Sequence, residues 1–174
     1  MTNECHINKT LEATPKNFDI VISGGGLSGC LMASSLSDLR NTDGKLLSIA
    51  IIETVGISQG YSLSFDDRVL ALSHGTASYF AQLGVWDFLQ EVAQPIEKIH
   101  ISDRSHYGKA RLEAKNHQVS ALGYVAEMSL IGQALLQVLL VKKHVTWFTP
   151  DSIENINWQQ SHVDIELNSG TLLT

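Results

Sequence analysis

Six consecutive residues, Gly24-Gly25-Gly26-Leu27-Ser28-Gly29, fit the pattern G-x-G-x-x-G, and an acid, Glu53, closes the next apolar run. These residue types at this spacing can hold a pyrophosphate and a ribose. Gly24 allows a tight strand-to-helix turn, Gly26 lets a pyrophosphate approach the backbone with no Cβ in the way, and Gly29 lets the helix lie close on the strand. The phosphates would rest on the free N–H groups at the helix N-terminus, where the macrodipole also favours an anion. A carboxylate at Glu53 can accept from both hydroxyls of an adenosine ribose and disfavours a 2′-phosphate. Each feature alone has a plainer reading, a ligand-free turn or a solvated strand end. Together they describe a site for the adenosine diphosphate end of a dinucleotide.

The flanking elements suit that site. Phe18–Ile22 reads as a buried strand running into the turn, and Gly26–Leu39 as a helix with small residues on its packing side. Asn41-Thr42-Asp43-Gly44 is a loop by its turn chemistry. Leu46–Ile52 is a near-continuous apolar run, as expected of a parallel strand covered on both faces. Strand, helix and strand make a βαβ unit.

Downstream, residues 54–65 read as an irregular loop. Ser73 fits the N-cap of a helix ending at Gly84, and 85–92 adds further helical turns. Glu97–Ser102 and Arg111–Ala114 read as strands. Met128–Lys142 is a long helix with apolar residues recurring at i, i+3 and i+4. Val145–Phe148 is a strand, Ile153–Trp158 and His162–Leu167 form a hairpin, and another strand begins at Thr171. The three tryptophans read as packing residues.

Bulk properties exclude several classes. With 174 residues, 44% of them hydrophobic and 17% charged, the chain has material for a folded core. A formal net charge of -6 argues against a nucleic-acid surface. Cys5 and Cys30 form no CxxC pair, and the scattered histidines have no metal-ligand spacing, so no metal site is expected. Residues 1–17 read as a flexible polar tail without a signal-peptide core. No apolar run approaches the length of a membrane span. A cytoplasmic protein is expected.

Further motifs carry a resemblance. Phe65-Asp66-Asp67-Arg68-Val69-Leu70-Ala71-Leu72, then Leu83-Gly84-Val85-Trp86, Ser102-Asp103-Arg104 and Leu122-Gly123-Tyr124-Val125-Ala126-Glu127 follow one another in order. The chain thereby resembles the flavoprotein aromatic hydroxylases of ubiquinone biosynthesis, from Phe18 to its end. The resemblance implies an α/β fold: a Rossmann-like FAD-binding domain of the glutathione-reductase-like type, with part of a β-sheet substrate region, over 18–174. It implies non-covalent FAD, NADH or NADPH as reductant, and oxygen delivered through a flavin hydroperoxide to a polyprenylated phenol. It implies a flavin-contacting role for Arg68, whose plainer reading is an ion pair with Asp66 or Asp67. The start of the second long helix, around Glu127–Gln133, is a further candidate flavin contact, although Gln133 itself reads better as solvated. The flavin carries the chemistry, so no catalytic side chain is expected. A multi-enzyme quinone-synthesis assembly and a location peripheral to the inner membrane accompany such a substrate.

Family members continue past the position of Thr174 with a second dinucleotide motif bearing an Asp-Gly pair and a later Gly-Asp pair, and neither of these downstream regions is present here. The chain is therefore expected to be truncated, inactive alone and a weak FAD binder. Two alternatives stay open. One is a dehydrogenase binding NAD at the same turn, which the Asp66–Leu72 segment disfavours. The other is a non-catalytic module within a quinone-synthesis assembly.

Overall fold

The computed structural model describes residues 14–57, 68–103 and 107–174. Strand β1 (Ile20–Ser23) enters the glycine turn, helix α1 (Leu27–Leu36) leaves it, and β2 (Ile49–Ile52) returns beside β1. β1 and β2 are parallel, with Ile20 opposite Ile49 and Ser23 opposite Ile52. All four β2 residues are buried, as an apolar run covered on both faces requires. Asp19 ties the two strands at their start. Its carboxylate accepts from the Ser48 N–H and the Ser48 hydroxyl, each at 2.7 Å. These bonds hold Asp19 below the usual carboxylate range.

The chain then leaves this sheet and builds a second one. β3 (Val69–Ser73) runs into α2 (His74–Gln82), whose N-cap Ser73 accepts from the Thr76 N–H at 3.1 Å. A short 3-10 turn, Trp86–Phe88, follows where the sequence suggested continued helix. β4 (Gln94–Ile96), β5 (Lys98–Ser102), β6 (Lys109–Glu113) and β7 (Gly123–Glu127) come next. β7 is the centre of an antiparallel sheet in the order β3-β7-β4, while β5 and β6 form a separate hairpin.

Helix α3 (Met128–Leu140) leads back to the first sheet. Its buried face, including Ile131, Leu135 and Leu139, packs with Cys30 and Ala33 of α1 in the main core. β8 (Val145–Phe148) then lies parallel to β2, so the first sheet has the order β1-β2-β8. β9 (Ile153–Trp158), β10 (Val163–Leu167) and β11 (Leu172–Leu173) form an antiparallel meander. Its Ile165, Leu167 and Leu173 cover the other face of β2. Two layers thus bury β2 and fix the position of Glu53 at its end.

The elements differ from the sequence reading in identifiable places. The first helix is shorter than expected, and β3, β4 and β7 are strands that local pattern did not announce. Trp86 meets Tyr124 edge-on with centroids 4.6 Å apart, and Trp147 packs on the main core. Trp158 is a correction: it is 79% exposed at the end of β9, opposite Val163, where it lines an open pocket with Ile156 rather than filling the core. Residues 1–13 of the expected tail, Phe65, Asp66, Asp67 and Arg104 lie outside the described residues. No helix of the described residues is long and apolar enough to cross a membrane, and no group of three or more potential metal ligands occurs among them.

Candidate functional site

Gly24 turns the chain with φ +101°, a conformation that L side chains resist, and its N–H donates to the Ile52 carbonyl at 2.8 Å. An added Cβ at Gly29 would stand 1.9 Å from the Gly24 carbonyl oxygen, so close packing there demands glycine. At Gly26 the position of a Cβ is open, with no atom within 4 Å, and the residue is exposed. The space is kept on the solvent side of the turn, where a ligand would come.

Gly26 is also the N-cap of α1. No side chain caps this helix and no acid lies in its first turn. The N–H groups of Leu27, Ser28 and Gly29 have no partner within an α-helix. Dipole and donors together present an anion site over Gly26.

Glu53 closes the site from below. Its Oε2 accepts from the Gly25 N–H at 2.7 Å, and its Oε1 accepts from the Val55 N–H at 2.8 Å and the Thr54 hydroxyl at 3.1 Å. Burial pushes the carboxyl pKa up, but the bonds from Val55, Gly25 and Thr54 outweigh it and hold Glu53 below the ordinary value. It is therefore an anion at neutral pH. Each carboxylate oxygen offers about two acceptor positions. Oε1 has both filled and Oε2 has one left, so a ribose engaging through both hydroxyls must turn the Thr54 hydroxyl away.

Glu53 is held in turn by its backbone. Its N–H donates to the Phe148 carbonyl at 3.0 Å, and its carbonyl accepts from the Asp151 N–H at 2.8 Å. The segment after β8 therefore belongs to the site.

Two contributors escaped the sequence reading. Cys30 is buried, and its thiol donates to the Gly25 carbonyl at 2.9 Å. Burial and the nearby Glu53 charge push this thiol up to about 12, so it stays protonated and can donate. The ring of Trp147 covers Gly25: a Cβ there would meet Cζ3 at 2.8 Å and the Glu53 Cβ at 3.1 Å. Position 25 is a free choice in the G-x-G-x-x-G pattern, but here a Cβ would force the Trp147 ring and Glu53 to shift. The glycine run itself was the one available hint.

Arg68 lies outside this cluster of contacts. It is exposed, just before β3, and its carbonyl accepts from the Met128 N–H at 2.9 Å. The candidate arginine and the start of α3 are thus adjacent. Gln133 is exposed, as a solvated helix residue should be.

The residues present fit the adenosine diphosphate part of FAD: an open cradle at Gly26, uncapped helix donors and an ionised acid beside them. No family model matches the chain. In sequence it is similar to an uncharacterised protein of Synechocystis sp., 30% identical over 154 residues, which are 88% of this chain and 35% of that protein. It is also similar to the ubiquinone biosynthesis monooxygenase COQ6 of Dictyostelium discoideum, at 26% identity over 80% of this chain and 30% of that protein. In structure it is similar to p-nitrophenol 4-monooxygenase of Pseudomonas putida, with a TM-score of 0.67 and 18% identity over 91% of this chain and 39% of that one. The fold is therefore that of part of an FAD-dependent monooxygenase. The chain spans about a third of the length of the curated relatives it matches.

Proposed function

We propose, for a chain related to the FAD-dependent hydroxylases of ubiquinone biosynthesis, that it supplies the adenosine diphosphate half of an FAD site. The observation that carries this reading is the pairing of the uncapped α1 N-terminus over Gly26 with the ionised Glu53 bonded to the Gly25 N–H. In the proposed site Gly26 to Gly29 hold the pyrophosphate, with Leu27 and Ser28 donating through their backbone. Glu53 takes a ribose hydroxyl on its remaining Oε2 position and repels a 2′-phosphate. Arg68 contacts the flavin end from its place beside α3. When bound, FAD reduced by NADH or NADPH supplies the oxidising chemistry with O2, so the side chains bind and orient rather than react.

Within the family, the quoted motifs most resemble those of 2-octaprenyl-6-methoxyphenol hydroxylases, which makes a polyprenylated phenol the proposed substrate. Hydroxylation is proposed for a protein of the relatives' full length, and this chain alone is proposed to bind without turnover. Titration of the chain with FAD, ADP, FMN, NAD and 2′-phospho-ADP (adenosine 2′-phosphate 5′-diphosphate) tests the reading. FAD and ADP should compete for one site, FMN should not bind, and the extra phosphate of 2′-phospho-ADP should weaken binding. NAD binding tighter than FAD would instead favour a dehydrogenase. Sustained, phenol-stimulated oxidation of NADH or NADPH by residues 1–174 would refute the absence of turnover.

A further inference from the structure

The Gly25 peptide is gripped on every side by side chains from three different elements. Its N–H donates to Glu53 at the end of β2, its carbonyl accepts from Cys30 on α1, and Trp147 on β8 closes the space where a Cβ would be. Gly25 and Cys30 are both buried. The N–H and the carbonyl on either side of its Cα are thus each held by a separate donor–acceptor pair. The N–H lies in the Gly24–Gly25 peptide plane and the carbonyl in the Gly25–Gly26 plane. With the second plane released, both could reorient about the glycine Cα atoms, because Gly24 and Gly26 place little steric limit on them. Such a swing would take the N–H away from Glu53 and alter the turn above which the α1 donors sit.

We infer that Cys30 is a positioning residue of the dinucleotide site, whose thiol fixes the Gly25 peptide so that Glu53 and the α1 N-terminus face one ligand together. This deepens the proposed function and rests on it. The thiol suits the position because it is small enough for the α1 packing face and keeps one weak donor in an apolar surround. Alanine would fill the space nearly as well but would leave the Gly25 carbonyl buried without that donor. Serine would restore a donor. Beside Glu53 stand the Cys30 thiol of α1, which feels its charge, and Asp151 from the segment after β8, which meets it through backbone.

The experiment compares the wild type with Cys30→Ala and Cys30→Ser. ADP affinity is measured across pH, the Glu53 carboxyl is titrated by 13C NMR, and exchange of the Gly25 amide is followed without ligand. C30A should weaken ADP roughly three- to tenfold, the cost of about one hydrogen bond. It should also raise the Glu53 titration midpoint and speed Gly25 amide exchange, while C30S returns all three toward wild type. Packing alone would lower stability without moving the Glu53 midpoint. Unchanged titration and exchange in C30A, or a C30S protein as impaired as C30A, would overturn the inference. If wild type fails to bind ADP, the proposed function falls, and the two ligand-free readings still decide the role of Cys30.

Discussion

Adding one methyl group at Gly29 and one at Gly26 should have opposite consequences. At Gly29 the new Cβ would lie 1.9 Å from the Gly24 carbonyl oxygen and 3.3 Å from Ile22 Cγ2. The Gly24 oxygen shares its peptide plane with the Gly25 N–H, which is bonded to Glu53, so it cannot simply rotate aside. The start of α1 must recede by roughly 1.5 Å to recover van der Waals contact. Overpacking of this kind costs up to about 3 kcal/mol, which for a chain of this size lowers Tm by roughly 6–12 °C. At Gly26 φ is -68°, and no atom lies within 4 Å of the added group. Alanine is compatible with that backbone and should leave stability unchanged or raise it by about 0.4–1 kcal/mol. The methyl would instead stand where the pyrophosphate must approach. Urea or thermal unfolding, paired with ADP and FAD titration, reads both effects. Gly29→Ala should unfold early. Gly26→Ala should fold normally and bind at least tenfold more weakly, the equivalent of about 1.4 kcal/mol. A G29A protein as stable as wild type, or a G26A protein with wild-type ADP affinity, would refute the division of labour.

The other expectations are briefer. Glu53 has a folded pKa below its ordinary value of 4.5, so the unfolded chain binds the proton more readily. Its stabilising contribution is present above pH 4.5 and is lost as pH falls toward the folded value; E53Q should flatten the rise of stability with pH in that window, measured by urea unfolding. Gly25→Ala should be destabilising in the wild type but markedly less so in a Trp147→Leu background, with a coupling of about 0.5–3 kcal/mol in a double-mutant cycle. Ser73→Ala removes the α2 N-cap and should lower stability by about 1 kcal/mol in the same assay, without changing ADP affinity. Thr54→Ala removes the hydroxyl on Oε1 and should leave ADP affinity equal or tighter; a large loss would mean that Thr54 itself contacts the ligand.

The parts of the site legible in the sequence are the local ones. Gly24 to Gly29 announce themselves because turn, phosphate approach and helix packing each demand glycine within one short segment. Glu53 follows from the apolar run before it, since a doubly covered strand must end where the chain turns polar. β3, β4 and β7 were not legible, because their pairing depends on partners distant in sequence. Pro95 in β4 even argues against a strand, yet it is tolerated where one side needs no ladder bond. Gly123 read as part of a family motif, but its physical reason is contact: a Cβ there would meet the Leu72 carbonyl at 2.4 Å. The roles of Cys30 and Trp147 were hidden for the same reason. Nothing in their local sequence says that α1 and β8 converge on one peptide.

The placement of β8 beside β2 has a consequence for how the site comes into being. Phe148 and Asp151 hold the backbone of Glu53, but the chain reaches them only after building β3 to β7 and α3. The glycine turn emerges early during synthesis, while the strand that secures its acid emerges late. Parallel pairing across so long a connection is intrinsically slow, because the loop must close before the contacts reward it. An early βαβ segment would thus carry the nucleotide signature without a secured acid. Binding competence should appear abruptly in a series of lengthening nascent chains, at the point where residues 145–151 clear the ribosome and dock.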